Sequence, residues 1–219
     1  KPAEENPSSF HSSGPFDVDN GKFIKKSSKP SYSKVFGQTV AELVRMDKTI
    51  MALTAAMPGG TGLDAVQEEF PENFYDVGIA EQYMMAFAGG LSLQGMKPVV
   101  AIYSTFMQRA VDQIIHDITL MDIPIVIGID RGGLVGGDGP THQGLYDISI
   151  LRPLPGVVLM APKDENELRH MVYTGYKLQK PVFIRYPKEA GIGVEMDEEF
   201  KELPLGKSEI MREGSDGVI

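Results

Sequence analysis

Residues 99–129 read VVAIYSTFMQRAVDQIIHDITLMDIPIVIGI, and this stretch decides the fold. It opens on an uninterrupted apolar and aromatic run, Val99 to Tyr103, and closes on a second continuous apolar run, Ile125 to Ile129. Between them Met107, Ala110, Val111, Ile114, Ile115 and Ile118 recur at i, i+3, i+4, i+7, i+8 and i+11. That spacing is one face of a helix at 3.6 residues per turn. Arg109, Asp112, Gln113 and His116 fall on the opposite face. Strands that are apolar on both sides need cover on both sides, which predicts a parallel sheet packed between helices.

The alternation continues outward in both directions. Upstream, Phe36, Val40, Leu43 and Val44 share one face of a helix beginning at Ser33. Ile50–Thr54 reads as a strand, followed by a Pro-Gly-Gly-Thr-Gly turn at 58–62. Phe74–Val77 reads as a short strand. Ala80–Leu93 reads as a helix that is apolar almost all round and therefore buried. Downstream, a Gly-rich loop runs from Asp130 to about Gly144, then Val157–Met160 reads as a strand. Leu168, Met171, Val172, Gly175 and Tyr176 mark a helix, and Val182–Arg185 a last strand. The expected architecture is an α/β domain over residues 33–190, a doubly wound, mostly parallel sheet with helices on both faces.

Residues 1–32 are rich in Pro, Ser, Lys and Gly and carry no period, so they read as an arm or linker. From about Glu195 the chain turns acidic and loop-like. Residues 191–219 read as a linker, with Gly217-Val218-Ile219 as the start of a strand in a further domain. Both ends read as cut, at Lys1 without a Met and inside that strand.

Composition narrows the function classes. Of 219 residues, 42% are hydrophobic and 23% charged, the balance of a globular domain with a substantial core. A net charge of -9 disfavours nucleic acid and anionic membrane surfaces as partners. The absence of cysteine excludes disulfides, thiolate catalysis and Cys-based zinc sites, and fits a cytoplasmic location. No apolar run approaches the roughly 20 residues that span a bilayer.

Open parallel sheets bind ligands beyond the carboxyl ends of their strands. Three segments belong there: Gly78–Gln82, Tyr103–Phe106 and the loop from Asp130 to His142. Glu81 starts a helix just after a strand. It reads either as a first-turn carboxylate favoured by the helix dipole or as a buried carboxyl that needs a partner and is suited to proton chemistry. The 130–144 loop, with seven Gly or Pro, carries Arg131, Asp138, Thr141, His142 and Gln143. Loops of this length are functional sites or solvated surface. Arg185, at the end of the last strand, reads as an ion-pair residue or an anion-binding group. His11, in the arm, reads by itself as solvent-exposed, and His116 and His170 fall on polar helix faces without a role. Gly137-Asp138-Gly139 with Asn166 downstream has the spacing of a metal motif. A strand intervenes, however, and Asn166 falls in a helix's first turn, so no metal ligand is assigned.

These residues carry a resemblance. AEENPSSFH (3–11), PFDVDNGK (15–22), DVGIAEQ (76–82), YSTFMQRAVDQIIHDI (103–118), IDRGGLVGGDGPTHQG (129–144), PKDENELRHMVYTGY (162–176) and IRYP (184–187) occur in this order. Together they resemble the 1-deoxy-D-xylulose-5-phosphate synthases, thiamine-diphosphate enzymes related to transketolase. The resemblance implies a three-domain enzyme of which this chain is the middle, aminopyrimidine-binding domain. A separate domain would bind the diphosphate and most of the Mg²⁺ shell. It further implies a homodimer and the condensation of pyruvate with glyceraldehyde 3-phosphate, with loss of CO₂.

Residue by residue, the resemblance implies that Glu81 hydrogen-bonds the pyrimidine N1′ and favours the imino tautomer, which activates C2 of the thiazolium. Phe106 would stack on the pyrimidine and Ile79 would join the cofactor contacts. Tyr103 would lie near the reacting centre, and Arg131 and Arg185 would hold the aldehyde's phosphate. Asp138 and His142 would contact substrate or intermediate, with His11 reaching in from the arm. Two departures stand out: Tyr83 where the family has His, and Lys188-Glu189 where it has Arg-Gly. The alternatives are a transketolase, an α-ketoacid dehydrogenase β-type enzyme, or a non-catalytic α/β assembly module.

Overall fold

A computed structural model describes residues 2–5, 10, 14–24, 29–215 and 217. His11 and the last two residues of the expected strand at 217–219 lie outside the described residues. A short helix, α1 (Pro2–Glu5), and a turn closed by a Phe16–Phe23 bridge occupy the region read as an arm. The domain proper begins with α2 (Tyr32–Met46). Ser31 caps it by accepting the Lys34 N–H on its hydroxyl at 3.2 Å.

Six strands follow: β1 (Ile50–Thr54), β2 (Phe74–Asp76), β3 (Lys97–Tyr103), β4 (Ile125–Asp130), β5 (Val158–Met160) and β6 (Pro181–Arg185). They form one all-parallel sheet in the order β2-β1-β3-β4-β6-β5. The helices are α3 (Pro58–Thr61), α4 (Asp64–Glu69), α5 (Glu81–Leu93), α6 (Ser104–Met107), α7 (Val111–Gln113), α8 (Asp147–Leu151) and α9 (Glu165–Lys177).

The period-two alternation of strand side chains separates two cores. On one face Ala52, Val99, Ala101, Val126 and Ile184 meet Phe36, Val40 and Leu43 of α2 and Leu168 and Val172 of α9. On the other face Leu53, Val100, Ile102, Ile127, Ile129 and Phe183 meet Met84, Met85 and Ala88 of α5 together with Met107, Ala110, Ile114 and Ile118. Each buried aliphatic side chain contributes roughly 1.5–3 kcal/mol of transfer free energy, so both helical layers are held by the sheet between them.

Several expectations need correction. The helix read over 107–118 is not one α-helix. It runs through α6, a 3₁₀ turn at Gln108–Ala110, α7 and a π-helical stretch at Ile114–Thr119. Thr119 donates its hydroxyl to the Ile114 carbonyl at 2.8 Å, and the Leu120 and Ile123 N–H groups reach back five residues in the same way. Met107, Ala110, Ile114 and Ile118 of the apolar stripe are buried as read, while Val111 and Ile115 are only half-buried, and the backbone adjusts to seat the buried four. Helix α5 is not buried all round: Tyr83 is 57% and Leu93 62% exposed, because only its inner face meets the sheet. The turn at 58–62 is helical, ending at Gly62 with φ 79°. α4 and α8 were not expected, since neither is long enough to display a period. His170 is not on a solvent-facing polar side. It is 4% exposed and hydrogen-bonds Asp197 at 2.7 Å, because residues 197–201 fold back over α9.

That return segment is pinned at the start of α9. The Glu165 carboxylate accepts N–H groups from Ile192 (3.2 Å), Gly193 (2.5 Å) and Val194 (3.1 Å). Burial pushes this carboxyl up, but its own backbone N–H and those of Gly193, Val194 and Ile192 outweigh that and hold it below its ordinary 4.5. A depressed folded pKa contributes stability above pH 4.5 that is lost as pH falls through the folded value. Glu165→Gln is therefore expected to lower unfolding free energy at pH 7 by about 1–2 kcal/mol in urea titrations, with the gap closing below pH 4.5. A gap of constant size down to pH 3 would exclude the ionised carboxylate as its source. No helix among the described residues is long and apolar enough to cross a membrane.

Candidate active site

Parallel pairing brings the carboxyl ends of the strands to one edge of the sheet. Tyr103 ends β3 beside Asp130 of β4, and Ile129 pairs with Arg185 at the end of β6. The neighbouring β1 ends at Thr54. A narrow cleft opens here, lined by Thr54, Ala55, Met57, Thr61, Glu81, Tyr103 and Phe106 among others.

Glu81 is the first residue of α5 and is 3% exposed. The preceding Ala80 offers no side-chain cap, so the carboxylate itself sits at the positive end of the helix. Its Oε2 is buried without a hydrogen-bond partner. The nearest cation is Arg109, whose Nη1 lies 3.5 Å away. A buried acceptor lacking a donor is costly for stability and is commonly retained for chemistry.

Aromatic rings extend the cleft. Tyr103 and Phe106 stack with centroids 5.4 Å apart and planes 7° apart. His142 meets Phe106 edge-on at 5.4 Å. The Thr105 hydroxyl donates to the Thr141 carbonyl at 2.9 Å, tying the 130–144 loop to the end of β3.

That loop is braced rather than structureless. Gly133 and Gly144 exchange two backbone hydrogen bonds of 2.8 Å at its neck. Across it, Gln143 accepts from the Val135 N–H at 3.0 Å and donates to the Gly139 carbonyl at 2.8 Å. At Gly144 a Cβ would lie 2.1 Å from the Arg131 carbonyl oxygen, so the neck requires glycine.

Arg131 follows β4 at φ 58°, a conformation that side chains other than glycine rarely adopt. Its guanidinium pairs with Asp130 at 2.8 Å and donates to the Gly60 carbonyl at 2.7 Å and the Ser33 hydroxyl at 3.2 Å. It also lies 4.0 Å over the Tyr103 ring and 3.7 Å from Asp138. Burial raises the Asp130 carboxyl, against the lowering effect of Arg131 and Ser33. Burial likewise pushes the Tyr103 phenol up to about 12, so it remains a donor at neutral pH.

Asp138 forms ion pairs with Lys188 and with Arg131. Arg185 donates to the buried Asp147 carboxylate at 2.8 Å and packs against Gly132.

The structure thus places Glu81, Tyr103 and Phe106 on one cleft, with His142 against Phe106. It joins Arg131 and Asp138 to that cleft through Tyr103. Arg185 lies beside the residue that follows Arg131, but its carboxylate partner is on α8. Ile79, 75% exposed, precedes Glu81 without entering the cleft lining. Sequence reasoning missed Thr54, Ala55, Met57 and Thr61 as lining, the Gly60 carbonyl and Ser33 as partners of Arg131, Asp147 as partner of Arg185, and the Arg109–Glu81 contact. No local signal points to any of them, since each pairing joins distant segments. Asn166 donates to Asp197 at 3.2 Å. Among the described residues, no three His, Asp or Glu side chains cluster as a metal site would require.

Comparison with known proteins agrees with this geometry. The family model for the transketolase pyrimidine-binding domain matches residues 28–192. The 1-deoxy-D-xylulose-5-phosphate synthase of Desulfitobacterium hafniense (strain Y51) is 56% identical over 216 residues, 99% of this chain and 34% of that protein. The 1-deoxy-D-xylulose-5-phosphate synthase 1 of Geobacter sulfurreducens is 56% identical over 219 residues, 100% of this chain and 34% of that protein. The chain therefore spans about a third of the length of these relatives. Among solved structures, a split-gene transketolase, described as an inactive beta4 tetramer, superimposes with a TM-score of 0.70 at 27% identity, covering 80% of this chain and 57% of that one. With strand order, carboxyl-edge cleft and sequence all in agreement, the chain belongs to the transketolase pyrimidine-binding domain family.

Proposed function

We propose that this chain is the aminopyrimidine-binding part of a thiamine-diphosphate-dependent transferase. The enzyme would condense pyruvate with glyceraldehyde 3-phosphate, with loss of CO₂, to give 1-deoxy-D-xylulose 5-phosphate. The observation that carries this reading is Glu81: a carboxylate 3% exposed, with an oxygen lacking any donor, facing a cleft walled by aromatic rings. The names of the synthases that match nearly the whole chain support the choice of substrates.

The residues fit the cofactor's ring. An aminopyrimidine offers a flat face and, in its protonated form, an N–H donor. Phe106 is half-buried and supplies aromatic surface, and Glu81 supplies the acceptor that the fold leaves unmatched. When bound, thiamine diphosphate supplies the electron sink for carbon–carbon bond cleavage and formation.

This chain's own residues then do the following. Glu81 holds a proton at the ring nitrogen N1′ through a charge-assisted bond, strengthened by the dry surroundings. Phe106 would orient the ring, while Ile79, exposed outside the cleft lining, would touch the cofactor only at the cleft's outer edge. Tyr103 presents a protonated hydroxyl to the reacting centre. Arg131 and Arg185 provide cations for the aldehyde's phosphate, exchanging part of their present carboxylate partners for it. Asp138 and His142 contact the substrate's polar groups. Mg²⁺ belongs with the diphosphate, on another part of the protein. A cytoplasmic homodimer fits the reading: the chain has no cysteine, and the outer face of α5, with Tyr83 and Leu93, is an apolar surface available for self-association.

The test uses the complete protein with thiamine diphosphate and Mg²⁺. Labelled pyruvate plus glyceraldehyde 3-phosphate should yield labelled deoxyxylulose phosphate, whereas a ketose-phosphate donor in place of pyruvate should give no transfer. Light scattering should return twice the chain mass. Transfer from the ketose phosphate without use of pyruvate would replace this reading with a transketolase.

A further inference from the structure

We propose that Arg109 is the positioning residue for Glu81, its guanidinium holding the buried carboxylate from the 3₁₀ turn that follows the aromatic wall of the cleft. The inference rests on the role given to Glu81 above and adds a residue that the resemblance assigned no part.

Three observations carry it. First, the contact is asymmetric: Nη1 of Arg109 lies 3.5 Å from Glu81 Oε2, with the Arg109 side chain 56% exposed and that of Glu81 only 4%. A pair with one member out of water is screened less than a surface pair. Second, the guanidinium gives Oε2 a neighbouring charge but no hydrogen bond. The acceptor capacity that a ring N–H needs is therefore left intact, while the guanidinium fixes the carboxylate's orientation. Third, the backbone is arranged for the contact. The helical run breaks into a 3₁₀ turn at Gln108–Ala110, and Ala110 departs from helical geometry at φ -114°, ψ 16°. Ala110 is buried in the same cluster as Met84, Met85 and Ala88 of α5, which fixes the turn against the helix that begins with Glu81. The polar face read from the sequence around Arg109 is thus not wholly a solvated one.

The role predicts a separation between binding and activation. In the complete protein, Arg109→Gln should leave the dissociation constant for thiamine diphosphate within about threefold of wild type. It should slow exchange of the bound cofactor's C2 proton with D₂O by about 30-fold, since a small misplacement of a reacting group can cost about 10²-fold. Arg109→Lys should recover most of the exchange rate, because the contact uses charge rather than the planar fork that distinguishes arginine. Wild-type exchange in Arg109→Gln overturns the proposal. So does an equal fall in cofactor affinity and melting temperature without rescue by Lys, which would mark a merely structural ion pair. Glu81→Gln in parallel separates the two claims. Normal exchange in that variant removes the Glu81 reading itself, whereas a dead Glu81→Gln beside a normal Arg109→Gln removes only the positioning role.

Discussion

Glu81→Ala in the complete protein should reduce kcat for deoxyxylulose phosphate formation by about 10³-fold, roughly 4 kcal/mol of transition-state stabilisation, while the protein stays folded. The two halves of this expectation have one cause. The Glu81 carboxylate is buried, its Oε2 accepts no hydrogen bond, and its cationic neighbour is half in solvent at 3.5 Å. Little in the fold depends on the charge, and removing a poorly compensated buried charge is often neutral or stabilising. The truncation leaves a small void beside the cleft, which opposes that gain. The net change in melting temperature should therefore be small, and Glu81→Gln, which conserves volume, should show even less. On the proposed role of Glu81, stability and activity separate at this position because the fold leaves its acceptor unmatched. Steady-state kinetics alongside thermal melting checks both. Turnover within tenfold of wild type in a folded variant would remove the carboxylate from the mechanism.

Gly37→Ala should destabilise the domain by about 3 kcal/mol or more, although a glycine-to-alanine change inside a helix ordinarily stabilises by about 1 kcal/mol. The contact reverses the sign. A Cβ on Gly37 would lie 1.7 Å from the Gly62 carbonyl oxygen and 2.4 Å from its carbon. Both atoms are backbone, so no rotamer change relieves the overlap. From the other side, Gly62 at φ 79° could not carry a Cβ either, since it would meet the Ser33 carbonyl oxygen at 2.1 Å. Helix α2 would have to move away from the turn, taking with it Phe36, Val40, Leu43 and Val44, all fully buried. Ser33, which accepts from Arg131, would move too, and Gly60, whose carbonyl also accepts from Arg131, lies in the turn being pushed. The variant should therefore lose activity beyond what its unfolded fraction explains. Urea denaturation measures the stability change. A midpoint at or above wild type would mean that the helix and turn can separate without cost.

The sequence by itself determined the layers of this protein and the location of its candidate chemistry. Runs such as Ile125–Ile129 and the stripe from Met107 to Ile118 encode their own burial, because periods of two and 3.6 residues are local properties of the backbone. A strand–helix alternation then leaves little freedom beyond a parallel sheet, and a parallel sheet sends Thr54, Tyr103, Asp130 and Arg185 to one edge. Glu81 was readable as a buried carboxyl only beside the alternative of a first-turn carboxylate favoured by the helix dipole. Partners were decided only in three dimensions. That Arg109 faces Glu81, that Arg131 lies over Tyr103 with Gly60 and Ser33 beneath it, and that Arg185 is held by Asp147 depend on register and crossover geometry between distant segments. So do the open outer face of α5 and the burial of His170 under the returning chain. A residue's period shows which way its side chain points, and only the packing of the other elements determines what it meets there.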